Sequence, residues 1–166
     1  IAVSAAQGLA FSLGIPVIGV SSLETQLRTF LRNEVIKGPA RVLSCIDARI
    51  GQVYGQWFDY DGRTITAVGE AFVALPEAIA QPDPDDDAPG ALYGVGSGFE
   101  FLSAMPEAIR AQATCWPDVL PEAQDMFAAA QQALVLGRAQ DPMLAAPDYV
   151  QTRIGWKTLA EQGRVA

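Results

Sequence analysis

The first twenty residues, IAVSAAQGLAFSLGIPVIGV, carry no charged side chain, and no other feature constrains the fold as strongly. A run of this length either spans a bilayer or is covered by protein on every side. Gly14 and Pro16 decide against the bilayer, because they divide the run into a helix-like piece and a strand-like piece. No basic segment precedes it, so a secretory leader is not the reading either. The expectation is a helix from Ile1 to Leu13, ended by Gly14, then a strand from Ile15 to Val20 buried on both faces. With no capping residue ahead of Ile1, the chain reads as a fragment whose beginning is missing.

Helical spacing puts Val3, Ala6, Leu9, Ala10 and Leu13 on one face, assigned to the chain's own core. Ile1, Ser4, Ala5, Gly8 and Ser12 form the other. They are small and uncharged, and are assigned to a partner-binding face. Ser21 or Ser22 then offers a cap for a second helix that carries Leu23, Leu27, Phe30 and Leu31 on one side as far as Asn33. Helix, strand, helix is the grammar of an α/β protein.

After Lys37-Gly38-Pro39 the texture changes. Arg41–Ile46, Gln52–Tyr60 and Arg63–Val68 read as three strands, the last two joined by an Asp61-Gly62 turn, and a meander is the simplest arrangement. Ala91–Val95 reads as a further strand, followed by a glycine turn and a short helix. Pro121–Gly137 reads as a helix, and Pro147–Gln162 as an extended piece with a helical tail. Pro82–Pro89 is acidic and broken by prolines. Its carboxylates could suit calcium, but the spacing and closing glutamate of a calcium loop are missing, and a solvated loop is the preferred reading.

The 166 residues contain no histidine, two cysteines, and 19 acidic against 11 basic side chains, a net charge of −8. The missing histidine excludes Ser-His-Asp and Cys-His nucleophiles and imidazole metal sites. The charge gives the chain no general attraction for phosphate backbones, so direct nucleic-acid binding by the chain alone is not expected. Cys45 and Cys115 have no activating neighbour and read as core thiols. Trp57, Trp116 and Trp156 read as packing residues, with no interleaved basic side chains to make a base-stacking platform. Gly94-x-Gly96-x-Gly98 follows a strand and precedes a helix, so its backbone N–H groups are a candidate phosphate cradle. It lacks the dinucleotide spacing and the phosphate-loop lysine, and a tight connection is the default. Asp47 and Arg49 end a strand before Gly51. With no second carboxylate nearby, an Asp–Arg pair closing a turn is preferred to a catalytic acid. No catalytic constellation and no metal or cofactor site emerges, which favours a non-catalytic subunit.

Three stretches, in order, resemble the TsaB (YeaZ) family. They are Ala6-Gln7-Gly8-Leu9-Ala10 continuing through Gly14-Ile15-Pro16-Val17-Ile18-Gly19-Val20-Ser21-Ser22-Leu23; Arg41 to Arg49 with Gly51-Gln52-Val53-Tyr54; and Pro147-Asp148-Tyr149-Val150 with Trp156-Lys157. The Asp47-Ala48-Arg49-x-Gly51-x-Val53-Tyr54 match is the most specific. In two places the chain departs from the family pattern. Gln151 stands where the family ending has arginine, and the strands bearing the family's phosphate loop do not occur.

The resemblance implies the two-lobe actin-like ATPase fold of sugar kinases and Hsp70, with the first lobe incomplete. Residues 1–38 would be what remains of that lobe, with 142–166 returning to it, and 39–141 the second lobe. It implies a cytoplasmic scaffold in synthesis of threonylcarbamoyladenosine (t6A), the modified base next to the anticodon of tRNAs reading codons that begin with A. The partners it implies are a TsaD-like catalytic subunit, met through first-lobe helices, and a TsaE-like ATPase. Pairing of two copies through the same helix is the other use of that face. A small-molecule kinase of the same fold is the alternative, but its aspartate base and phosphate-binding hairpin are not visible. A TsaD-like catalytic subunit would carry paired metal-binding histidines, and the chain has none.

Overall fold

In the computed structural model, which describes residues 1–82 and 90–150, the charge-free opening forms α1 (Ala2–Leu13) and the next apolar stripe forms α2 (Ser22–Asn33). Gly14 ends α1 at φ 64°, a conformation that a side chain would strain, and its N–H returns to the carbonyls of Ala10 and Phe11. Ser21 caps α2 by accepting the N–H of Glu24, and Glu24 in turn pairs with Arg28 one turn later.

Three antiparallel strands follow: β1 (Ala40–Asp47), β2 (Val53–Tyr60) and β3 (Ile65–Ala74). The Asp61-Gly62 turn joins β2 to β3. Gly62 adopts φ 98°, and the Asp61 carboxylate accepts the N–H groups of Arg63 and Thr64 at 2.8 and 2.7 Å. β4 (Ala91–Val95) and β5 (Ala113–Trp116) complete the sheet in the order β3-β2-β1-β4-β5, with β4 parallel to β1 and β5 parallel to β4. Between them lie a 3₁₀ run, Ser97–Ala104, and the single-turn α3 (Glu107–Arg110). A 3₁₀ turn, Ala123–Asp125, leads into α4 (Met126–Val135), and Pro142–Leu144 forms a last 3₁₀ turn.

β1 lies at the centre of the sheet, between β2 and β4, and its middle residues are covered on both faces. Alternation turns Val42 and Ser44 toward α2 and Leu43 and Cys45 toward the opposite face, and all four are fully buried. On the α2 side Leu23, Leu27 and Phe30 pack against Val42, Phe58 and Val95. Phe30 and Trp116 lie 4.8 Å apart between ring centroids, with Tyr93 against both. On the other side Trp57, Ile79, Phe99, Met105 and Ile109 cover Leu43 and Cys45, and Trp57 donates its indole N–H to the Ala80 carbonyl at 3.0 Å. A buried polar link crosses the α2 interface: Ser44 Oγ donates to Gln26 Oε1 at 2.7 Å, and Gln26 Nε2 to the Val119 carbonyl at 2.8 Å.

Several expectations need correction. Ile15–Val20 is not a buried strand. It makes one antiparallel bridge, with two 2.9 Å bonds between Val17 and Gln140, and Ile15 stays half exposed because no described strand lies beside it. The expected core face of α1 is not covered: Ala10 is buried, whereas Ala6, Leu9 and Leu13 face solvent. β5 did not stand out in the sequence, because four residues are too few to show a period. The helix expected over 121–137 is shorter, and the one expected after Gly98 is 3₁₀ with a kink at Phe101. The acidic loop (beyond Pro82), Gln151, Trp156-Lys157 and the tail helix lie outside the described residues.

Candidate partner-binding surface

α1 is held by few contacts. Ala10 supplies its buried side chain, Gln7 Nε2 donates to the Pro142 carbonyl at 2.8 Å, and the Val17–Gln140 bridge fixes the segment after Gly14. Everything else on the helix is open or partly open. Ile1, Ser4, Ala5, Gly8 and Ser12, the face assigned to a partner, are all exposed. A Cβ built on Gly8 meets nothing within 4 Å. The Ser12 hydroxyl is already satisfied by the Leu9 carbonyl at 2.9 Å, so it leaves little unmet polar demand on that face.

The apolar surface extends beyond those five residues. Leu9, Phe11 and Leu13 are each about two-thirds exposed, and Met143 and Leu144 stand nearby at 66% and 71%. Phe11, Ile15, Pro16 and Met143 line an open groove of about 410 Å³. Covering a single Leu or Phe side chain is worth about 1.5–3 kcal/mol, so this surface gains substantially from being buried. The sequence reading gave Leu9 and Leu13 to the core and assigned Phe11, Met143 and Leu144 to neither face. The usable signal was that neither face of α1 carries a charge.

The other candidates come together at the carboxyl ends of β1 and β4, where open α/β sheets commonly place ligands. The Asp47 N–H donates to Ser97 Oγ at 3.1 Å, joining the Asp47–Gln52 turn to the glycine turn. Asp47 closes its own turn by accepting the Arg49 backbone N–H at 2.7 Å, which supports Arg49 at φ 62°, a conformation few non-glycine residues adopt. The turn-closing role stands, but the contact is to the backbone of Arg49.

Packing explains the three glycines. A Cβ on Gly94 would enter the Phe99 ring, and one on Gly98 would sit 2.7 Å from Cys45 Cβ. Gly96, at φ 99°, lies against the Gln26 amide and the Cys45 carbonyl, and its N–H is taken by the Trp116 carbonyl at 2.9 Å. Burial pushes the Cys45 thiol up to about 12, and that of Cys115 upward as well, so neither is a ready nucleophile. Among the described residues no group of three Cys, Asp or Glu side chains is placed to hold a metal ion, and no helix is long and apolar enough to cross a membrane.

Comparison with known proteins fits this architecture. Residues 1–160 match the family described as "TsaD: tRNA N6-adenosine threonylcarbamoyltransferase". The tRNA threonylcarbamoyladenosine biosynthesis protein TsaB of Escherichia coli (strain K12) is 32% identical over 96% of this chain and 67% of its own length. YeaZ from Pseudomonas aeruginosa superposes with a TM-score of 0.75 at 31% identity, covering 89% of this chain and 64% of that one. A second P. aeruginosa structure, titled as similar to peptidase YEAZ, gives 0.76 at 31%, covering 90% and 66%. The chain thus spans about two-thirds of the length of these relatives.

Proposed function

Given that this chain belongs to the TsaB (YeaZ) family, we propose that it is a non-catalytic partner subunit in the synthesis of t6A on tRNA. It pairs through α1 with a TsaD-like catalytic subunit in the cytoplasm, and a TsaE-like ATPase joins the pair. The observation that carries this reading is α1 itself, twelve residues without a charge and with Ala10 as the buried side chain. Small residues at positions 4, 5, 8 and 12 allow a second helix to approach closely, and the flanking Leu9, Phe11 and Leu13 gain by being covered. Two copies of this chain could use the same face, and the two occupants compete. In the corresponding domain reading, 1–38 and 142–166 belong to one lobe and 39–141 to the other. The Gln7–Pro142 bond favours that return of the chain.

Charge determines how such a subunit meets RNA. At −8, with eleven basic residues, it cannot neutralise a run of phosphates, so the positive surface must come from the partner. The test is a tRNA titration of the chain with and without a TsaD-type subunit, at two salt concentrations. No binding by the chain alone, and tRNA retention when both proteins are present, is the expected result. Tight, salt-sensitive binding to the isolated chain would overturn the scaffold reading.

A further inference from the structure

We propose that the segment Ala123–Val135, the 3₁₀ turn with α4, is an arm that opens locally from α2 and is held shut by a polar latch centred on Asp125. The arm has little apolar anchorage. Ala129 is the buried residue of α4, whereas Phe127, Leu134 and Val135 are 76%, 57% and 85% exposed. What ties it to α2 is polar, with a long 3.4 Å contact from Arg28 Nη2 to Gln132 Oε1 on α4 and the closer bonds at Asp125. Arg32 grips the Asp125 carboxylate with Nε at 2.9 Å and Nη2 at 3.1 Å, and also reaches Glu122 at 2.8 Å. Thr29 Oγ1 donates to Asp125 Oδ2 at 2.7 Å and lies 3.1 Å from the Glu122 N–H, which it accepts. Bidentate, charge-assisted bonds of this kind are directional and strong only while both partners are aligned.

The flanks of the arm are pinned independently of the latch. On the amino-terminal side Gln26 holds the Val119 carbonyl, and on the other the paired bonds between Val17 and Gln140 hold the chain. The segment between them can therefore leave α2 without unpairing the sheet. Units with few buried apolar contacts and exposed helical hydrogen bonds open below the global unfolding free energy.

Hydrogen exchange on the whole 166-residue chain tests this, comparing wild type with Arg32→Gln. Arg32 is 40% exposed, so the shorter side chain is accommodated. The expected result is that amides of Met126–Val135 exchange about ten-fold faster in the variant, while those of Leu23–Phe30 and Val42–Cys45 are unchanged. Unchanged exchange in α4, or an equal loss across α2 and β1, overturns the proposal. Should the variant fail to fold, wild type compared between low salt and about 1 M salt decides instead. Screening speeds α4 selectively if the latch holds the arm, and α4 and α2 stay in step if it does not.

Discussion

Replacing Gly8 by leucine separates the proposed partner-binding role of α1 from its fold. Nothing lies within 4 Å of a Cβ at this position and its backbone is helical, so the side chain enters open space. Glycine inside a helix costs about 1 kcal/mol relative to alanine, and leucine is nearly as good a helix former, so the free variant should be stabilised by about 0.5–1 kcal/mol. For a chain of this size that raises the thermal midpoint by about 1–4 °C. Binding should respond in the opposite sense. A leucine between closely approaching helices overpacks the contact by about 1–3 kcal/mol, a loss of about 5- to 150-fold in affinity. Differential scanning calorimetry reads the first effect and calorimetric titration with a TsaD-type subunit the second. Gly8→Ala, adding one methyl, should lose less. An unchanged affinity for Gly8→Leu would refute the assigned face, and a lowered midpoint would show that Gly8 is covered within the chain.

Gly96→Ala should have the reverse character. Its Cβ meets the Cys45 carbonyl and the Gln26 amide at φ 99°, so a loss of about 2–4 kcal/mol in urea unfolding is expected. An unchanged midpoint would mean that the glycine turn has slack. The Asp125 carboxyl is held below its ordinary 3.8 by its hydrogen bond from Arg32, then by that from Thr29. Because the folded value is the lower one, its stabilisation is present above pH 4 and lost as pH falls through the folded value. The gap in urea midpoint between wild type and Asp125→Asn should therefore close between pH 7 and pH 2, and a constant gap would contradict this. Cys45, pushed up to about 12, should resist iodoacetamide at pH 8 while the less buried Cys115 is labelled first, as read by peptide mass spectrometry. In the unfolded chain the Cys45 thiol ionises near 9, so the contribution of this thiol to stability should decline above that pH.

Elements whose signals are local were legible in the sequence. Ser21 ahead of Leu23, Leu27 and Phe30 marks α2, Asp61-Gly62 marks a hairpin, and Gly14 marks the end of α1. In each case capping or positive φ is a property of a few consecutive residues. The Asp47–Tyr54 motif and the Ala6–Leu23 stretch likewise pointed to the family, and the missing histidines excluded whole classes of chemistry. What covers each apolar residue was decided only in three dimensions. Leu9 and Phe30 look alike in sequence, yet Phe30 meets Tyr93 and Trp116 from β4 and β5 while Leu9 meets solvent. Whether Ile15–Val20 becomes a strand depends on a neighbour to accept its hydrogen bonds, and the described fold offers Gln140 alone. Gly94, Gly96 and Gly98 read as a tight connection or a weak candidate phosphate cradle, and only the fold brings Phe99, Gln26 and Cys45 against them. Periodicity and turn chemistry are written along the chain, whereas burial and strand pairing are made by residues distant in sequence, which no single segment encodes.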